Sequence, residues 1–212
     1  MEDSRAEAQP ILFTVGHSNH PLGVFMTLLM RHGINLLVDT RSYPYSCHVP
    51  HFNREELQRA LSQAGVKYLY LGEELGGRPD EEEYYDAEGH VLYYRIAESA
   101  SFLKGIAHLE REIRRFRVAI MCSEENPSIC HRHLLVGRLM TGRGAKVHHI
   151  RGDGTIQAES ELQAAVNNQR LLFDLPEENT WKSLQSVLPR KRPKSSSESS
   201  DVMESDAWLM SD

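Results

Sequence analysis

Residues 34–41 read INLLVDTR, apolar almost without a break until Asp39 and polar from there on. A strand with one wet face alternates apolar and polar side chains; an unbroken apolar run is the pattern of a strand covered on both faces, as in a parallel sheet. The rest of the chain repeats the theme. ILFTVG (11–16), VKYLYLGE (66–73), RVAIMCS (117–123) and KVHHI (146–150) are further β-rich runs, and amphipathic stretches lie between them. PLGVFMTLLMRHG places Leu22, Phe25, Leu28 and Leu29 at helical spacing with Gly33 as its stop. SFLKGIAHLEREIRRF sets Phe102, Ile106, Leu109, Ile113 and Phe116 on one stripe. Strands alternating with helices predict an α/β fold, a mainly parallel, Rossmann-like, doubly wound sheet with helices on both faces, its strands near 11–16, 35–39, 67–71, 117–121 and 146–150.

Local signals refine the frame. Asn53 with Glu56 reads as a capping box that opens a helix through Gln63, closed by Gly65. From Glu73 to Arg95, Gly76-Gly77, Pro79 and the acidic run 80–83 predict a long excursion with little sheet. Asn126 as cap and Pro127 as first residue predict a helix over PSICHRHLLVGRLM, ending at the glycines of 141–144. Asp153-Gly154 suggests a tight turn, and a further helix is expected from Ser160 to Val166.

With 212 residues and 40% apolar composition the chain suits one core. The expected organisation is a flexible N-terminus (1–9), one α/β domain (10–175), a linker (176–189) and a disordered Ser- and charge-rich tail (190–212), in which Trp208 is a candidate docking point. A net charge of −6 argues against bulk nucleic-acid binding. No run approaches the roughly 18 apolar residues of a membrane span. Three widely spaced cysteines form no disulfide framework, and the acidic MEDSRAEAQP has no signal-peptide core, so a reducing cytoplasm is expected.

Ligands of an open parallel sheet bind at the carboxyl ends of its strands. Here those ends carry His17 and Ser18, Asp39 and Arg41, Arg78, and Cys122 and Glu124. Cys130, expected in the first turn of the helix from Pro127, would have its thiolate favoured by unpaired N–H groups and the helix dipole, with His131 and Arg132 beside it. The candidate nucleophiles are Cys130 and Cys122, with His17 or His131 carrying the proton and Glu124 orienting it. Ser18, Asp39, Arg41, Arg78 and Arg132 are the candidate substrate-binding residues, Asp39 being expected to pair with Arg41 or His17. Packing of either cysteine as a small apolar residue stays open, as does a metal held by Cys122, Cys130, His131 and His17, although the spacing is unlike a zinc knuckle. Where a phosphatase- or rhodanese-like phosphate loop beginning at Cys122 would need its arginine the chain has Ser128, and a C-x-x-C dithiol and a P-loop are absent.

GHS at 16–18, VDTRSYP at 38–44, FN at 52–53, LGG at 75–77, the C-S-E-x-N-P-x-x-C-H-R run at 122–132 and HI-x-x-DG at 149–154 form an ordered series. The chain thereby resembles a bacterial and archaeal family of unknown function marked by C-x-E-x-x-P-x-x-C-H-R. The resemblance brings no activity; it marks His17, Ser18, Asp39, Arg41, Cys122, Glu124, Cys130, His131 and Arg132. One departure stands out: where the family tends to carry a histidine after the DG turn, Gln157 and Glu159 follow here. The function these residues suit is that of an enzyme acting on a small anionic or nucleotide-like substrate. The alternatives are a ligand-binding module without chemistry, or a metal- or redox-sensing protein. No cofactor and no oligomeric state follows from the sequence.

Overall fold

The computed structural model describes residues 9–164 and 181–186. Six strands form one sheet: β1 (Ile11–Gly16), β2 (Leu36–Asp39), β3 (Lys67–Tyr70), β4 (Val118–Cys122), β5 (Lys146–Ile150) and β6 (Ile156–Ala158). Their order is β3-β2-β4-β1-β5-β6; the first five run parallel and β6 returns antiparallel to β5 through the Asp153-Gly154 turn. This is the α/β architecture the alternation predicts, and β2 is buried over its whole length.

Successive strand residues point to opposite faces, so each strand feeds two cores. On one face Leu12, Leu36, Val38, Val118, Ile120 and Val147 pack with Phe102, Ile106, Leu109 and Ile113 of α5 (Ala100–Ile113), and with Leu135, Val136 and Met140. On the other, Phe13, Val15, Leu37, Ala119 and Met121 meet Phe25 and Leu29 of α1 (Leu22–Arg31) and Leu57 and Leu61 of α2 (Arg54–Gln63). Each fully buried aliphatic or aromatic side chain contributes about 1.5–3 kcal/mol. Gly33 and Gly65 take positive φ just past α1 and α2, as their reading as stops requires. The excursion after β3 holds two short helices, α3 (Gly72–Leu75) and α4 (Tyr93–Glu98), and one bridge, Tyr85 to Val91.

Two local expectations change. Asn53 precedes α2 as expected, but its side chain accepts from Ser46 N at 2.7 Å rather than from the helix, tying down the loop after β2. The stretch from Pro127 is not one α-helix. Asn126 caps a 3₁₀ turn, Pro127–Ile129; Cys130 is then extended (φ −107, ψ 146), and a π-helical turn, Arg132–Gly137, leads into α6 (Arg138–Gly142). Consecutive residues of a regular helix point about 100° apart, yet Arg132 and His133 are both buried; the widened turn accompanies that pairing.

Residues 181–186, within the stretch read as a linker, hydrogen-bond back onto the domain at Val91 and Leu134. Expectations placed on residues 1–8, 165–180 and 187–212, Trp208 among them, lie outside the described residues. Among the described residues no helix is long and apolar enough to cross a membrane.

Candidate functional site

β2, β4 and β1 are neighbours in the middle of the sheet, and their carboxyl ends bring three distant stretches together. Gly16 pairs with Cys122, and Asp39 with Met121. The pairing runs on past the strands, since His17 N donates to Cys122 O and Ser18 N to Ser123 O, both at 2.9 Å. Gly16 permits this approach: a Cβ there would sit 1.9 Å from Glu124 O.

Asp39, fully buried, holds Arg41 through both carboxylate oxygens, Oδ1 to Nε at 2.9 Å and Oδ2 to Nη2 at 2.6 Å, and Tyr68 donates to Oδ2 at 2.8 Å. Arg41 Nη2 also donates to Phe52 O, and Nη1 to His17 Nε2 at 3.2 Å. Of the five N–H groups of a guanidinium, these bonds engage four and leave one on Nη1. His17 Nδ1 lies 2.7 Å from Ser18 O, so both ring nitrogens are engaged, and the ring stacks on Phe52. Burial, and then the charge of Arg41, depress the His17 pKa to about 4, which keeps the ring neutral.

The two cysteines meet on the far side of Thr40. Cys122 Sγ and Cys130 Sγ lie 2.7 Å apart as free thiols, and His131 Nδ1 lies 3.6 Å from Cys130 Sγ. Thr40 has one O–H, which Met121 O receives at 2.9 Å, so at 3.2 Å its oxygen accepts from His131 Nε2. That bond fixes the tautomer and turns the Nδ1 lone pair toward the sulfurs. The Cys130 carbonyl accepts from His133 N and Leu134 N, which puts its thiol at the mouth of the helix. Burial pushes both thiols up. At Cys130 the hydrogen bond from Cys122, the adjoining His131 and the charge of Arg132 outweigh it and hold the thiol well below its usual value. Cys122, buried and facing that thiolate, is driven well above.

These thiols line a cleft of about 470 Å³. Arg41, Arg78, Glu124 and His131 line it too, with Tyr43, Tyr45 and Tyr93. Of the other expected site residues, Ser18, His17 and Asp39 do not line it, and the last two hold Arg41 in place. Arg132 is fully buried and does not line the cleft; it donates to Thr14 Oγ1 at 3.0 Å, to Glu124 O at 2.7 Å and to Glu125 O, and so clamps the thiol loop from beneath.

Behind Arg132 lies a second cluster. Glu159 accepts from His133 Nδ1 and His149 Nε2, each at 2.8 Å, and His149 Nδ1 meets Thr14 Oγ1 at 2.8 Å. All three ionisable groups are buried. Burial pushes the Glu159 carboxyl up, but the two imidazole bonds outweigh it and hold it at about 2. Both clusters have the donor sets of metal sites. The ligand atoms of Cys122, Cys130 and His131 lie within 4.8 Å of one another, as do those of His133, His149 and Glu159. Sequence reasoning misses Thr40, the tyrosines and the His133–Glu159–His149 cluster. The YPY run at 43–45, directly after β2, is a usable signal for the tyrosines. Nothing local marks Glu159 as the partner of two histidines.

The family model described as Domain of unknown function DUF488 matches residues 22–139, a span that includes Asp39, Arg41, Arg78 and the thiol loop and excludes His17 and Glu159. No curated protein and no solved structure matches the chain.

Proposed function

The chain belongs to the DUF488 family, and from the chemistry of its cleft we propose an enzyme that acts on a small anionic or nucleotide-like substrate with Cys130 as nucleophile. The observation that carries this reading is the Cys130 sulfur at the mouth of a helix, facing a second thiol and an imidazole lone pair in a cleft that also holds arginine. The Cys130 proton passes to His131 Nδ1, while Thr40 keeps Nε2 protonated. The thiolate attacks the electrophilic centre; an S–substrate bond forms, the bond to the leaving group breaks, and the leaving group takes the proton from His131. Water then releases the acyl- or phosphoryl-like intermediate, with Glu124 as base. Arg78, whose guanidinium bonds to none of the described residues, and the remaining Arg41 N–H receive the anion. Tyr43 and Tyr45, half-exposed with ring centroids 5.5 Å apart, offer faces on which a planar base stacks. His17 serves here to hold Arg41 rather than to carry a proton. A cytoplasmic setting, where thiols stay reduced, suits this chemistry.

Alkylation by iodoacetamide across the pH range, read cysteine by cysteine by mass spectrometry, tests the proposal. Cys130 should react with a depressed pH midpoint and Cys122 should not; Cys130→Ser should lower turnover of an identified substrate by about a thousandfold or more while leaving affinity within a few-fold. The locked His131 tautomer favours one second reading, a thiophilic ion held by Cys122, Cys130 and His131. One equivalent of metal in freshly purified protein, with Cys130 inert to alkylation, would replace the nucleophile with that site.

A further inference from the structure

The cleft is not built by the family-matched span alone. Ser183 and Gln185 line it, and both lie 44 or more residues beyond the end of the match at residue 139. The segment is seated by several independent contacts. The Trp181 indole N–H donates to Leu134 O at 2.8 Å, within the same helix whose mouth carries Cys130, and the Arg138 guanidinium stacks 4.6 Å from the Trp181 ring. Ser183 N donates to Val91 O while Val91 N donates to Ser183 Oγ, both at 2.9 Å, and Ser183 Oγ donates on to Gln185 O at 2.7 Å. Lys182 pairs with Asp86 at 3.0 Å, and Ser186 Oγ donates to Glu88 O. The Ser183 hydroxyl is thus used in holding the segment. The Gln185 side-chain amide, by contrast, bonds to none of the described residues, although the residue lines the cleft and is exposed.

We infer that residues 181–186 form a specificity-determining wall of the cleft, with Trp181 as the positioning residue that seats it and Gln185 as the group a ligand meets there. Gln185 is uncharged and offers both a donor and an acceptor. It therefore suits the neutral, hydrogen-bonding part of a ligand, such as an amide or a ring-nitrogen edge, whose anionic part goes to Arg78. A wall contributed from outside the span shared with the family lets the thiol chemistry stay constant while the ligand changes. The inference rests on the reading of Cys130 as the reacting atom, because it concerns what reaches that atom.

The test uses full-length protein and two alkylating probes of nearly equal size, neutral iodoacetamide and anionic iodoacetate, with the Cys130 rates compared as a ratio. Gln185→Glu should lower the iodoacetate-to-iodoacetamide ratio, and Gln185→Lys should raise it, each by about threefold at low salt. Trp181→Ala should speed iodoacetamide at Cys130 by about fivefold or more without moving its pH midpoint, because it frees the wall and not the thiol's surroundings. Combined with Gln185→Glu, Trp181→Ala should erase the change in ratio. Position 185 is exposed, so its variants report even where Trp181→Ala fails to fold. Ratios in both Gln185 variants within a factor of about 1.5 of the wild type overturn the inference, since a charge beside the route must act on an anionic probe. Failure of the nucleophile reading looks different: Cys130 then reacts no faster than the exposed Cys47, with the shifts at position 185 still present.

Discussion

Two trios of side chains carry metal-ligand atoms, two thiols and an imidazole in one and two imidazoles and a carboxylate in the other. Cys122, Cys130 and His131 open into a cleft, while His133, two residues beyond His131, lies buried with His149 of β5 and with Glu159. In the sealed trio every ring nitrogen turned inward has found a partner: Glu159 takes one from each histidine, and Thr14 closes the far side of His149. In the open trio the hydrogen bonds hold groups in place without using them up; His131 is fixed through Nε2 and keeps Nδ1 for the thiols. Arg132 stands between the two, fully buried, bonded upward to the thiol loop and inward to Thr14. Metal-ligand atoms within reach of one another are therefore a poor guide to a site. What separates the two trios is whether the last lone pair faces a cleft or a partner.

The comparison breaks most readily at Glu159. Glu159→Ala leaves two imidazoles buried without their acceptor and should cost about 3–5 kcal/mol in urea unfolding, with Glu159→Gln costing less. A loss below about 1 kcal/mol in the alanine variant would mean that the sealed trio is not scaffolding. Acid sharpens the same contrast. The Glu159 carboxyl titrates at about 2 in the fold against 4.5 ordinarily, so its stabilisation is complete above pH 4.5 and is lost as pH falls toward 2. His149, held below its ordinary 6.5, likewise favours the fold above that pH and penalises it on acidification. The stability gap between wild type and Glu159→Ala should therefore narrow steadily below pH 4.5; a gap constant down to pH 2 would contradict the assignment. The smallest effect lies in the open trio. Cys122→Ala removes the hydrogen bond that favours the Cys130 thiolate, so the pH midpoint of Cys130 alkylation should move up while stability changes by no more than about 1 kcal/mol. A midpoint that stays in place would assign the depression to His131 and Arg132 alone.

Much of this molecule is legible in the chain. The unbroken apolar run at 34–41 and its alternation with amphipathic stretches fix a parallel sheet covered on both faces, because burial on two sides removes the polar half of a strand's pattern. The polar strand ends, and the pairing of Asp39 with Arg41, follow from the same logic: a buried carboxylate needs a partner, and one stands two residues away. The continuous helix expected from Pro127 does not form, because local capping signals report the first turn and not the turns beyond it. Asn126 does cap, but the buried Arg132 and the break at Cys130 answer to Glu124, Glu125 and Thr14, which no local pattern contains. By itself, then, the sequence determined the layers, the five parallel strands and the polar residues at their carboxyl ends, since these depend on periodicity and burial along the chain. Only the tertiary structure decided that β4 lies between β2 and β1, that His131 keeps a lone pair for the thiols while His133 commits its own nitrogen to Glu159, and that residues 181–186 return to wall the cleft. Those outcomes depend on contacts between residues far apart in sequence, which are settled by packing and by the completion of buried hydrogen bonds.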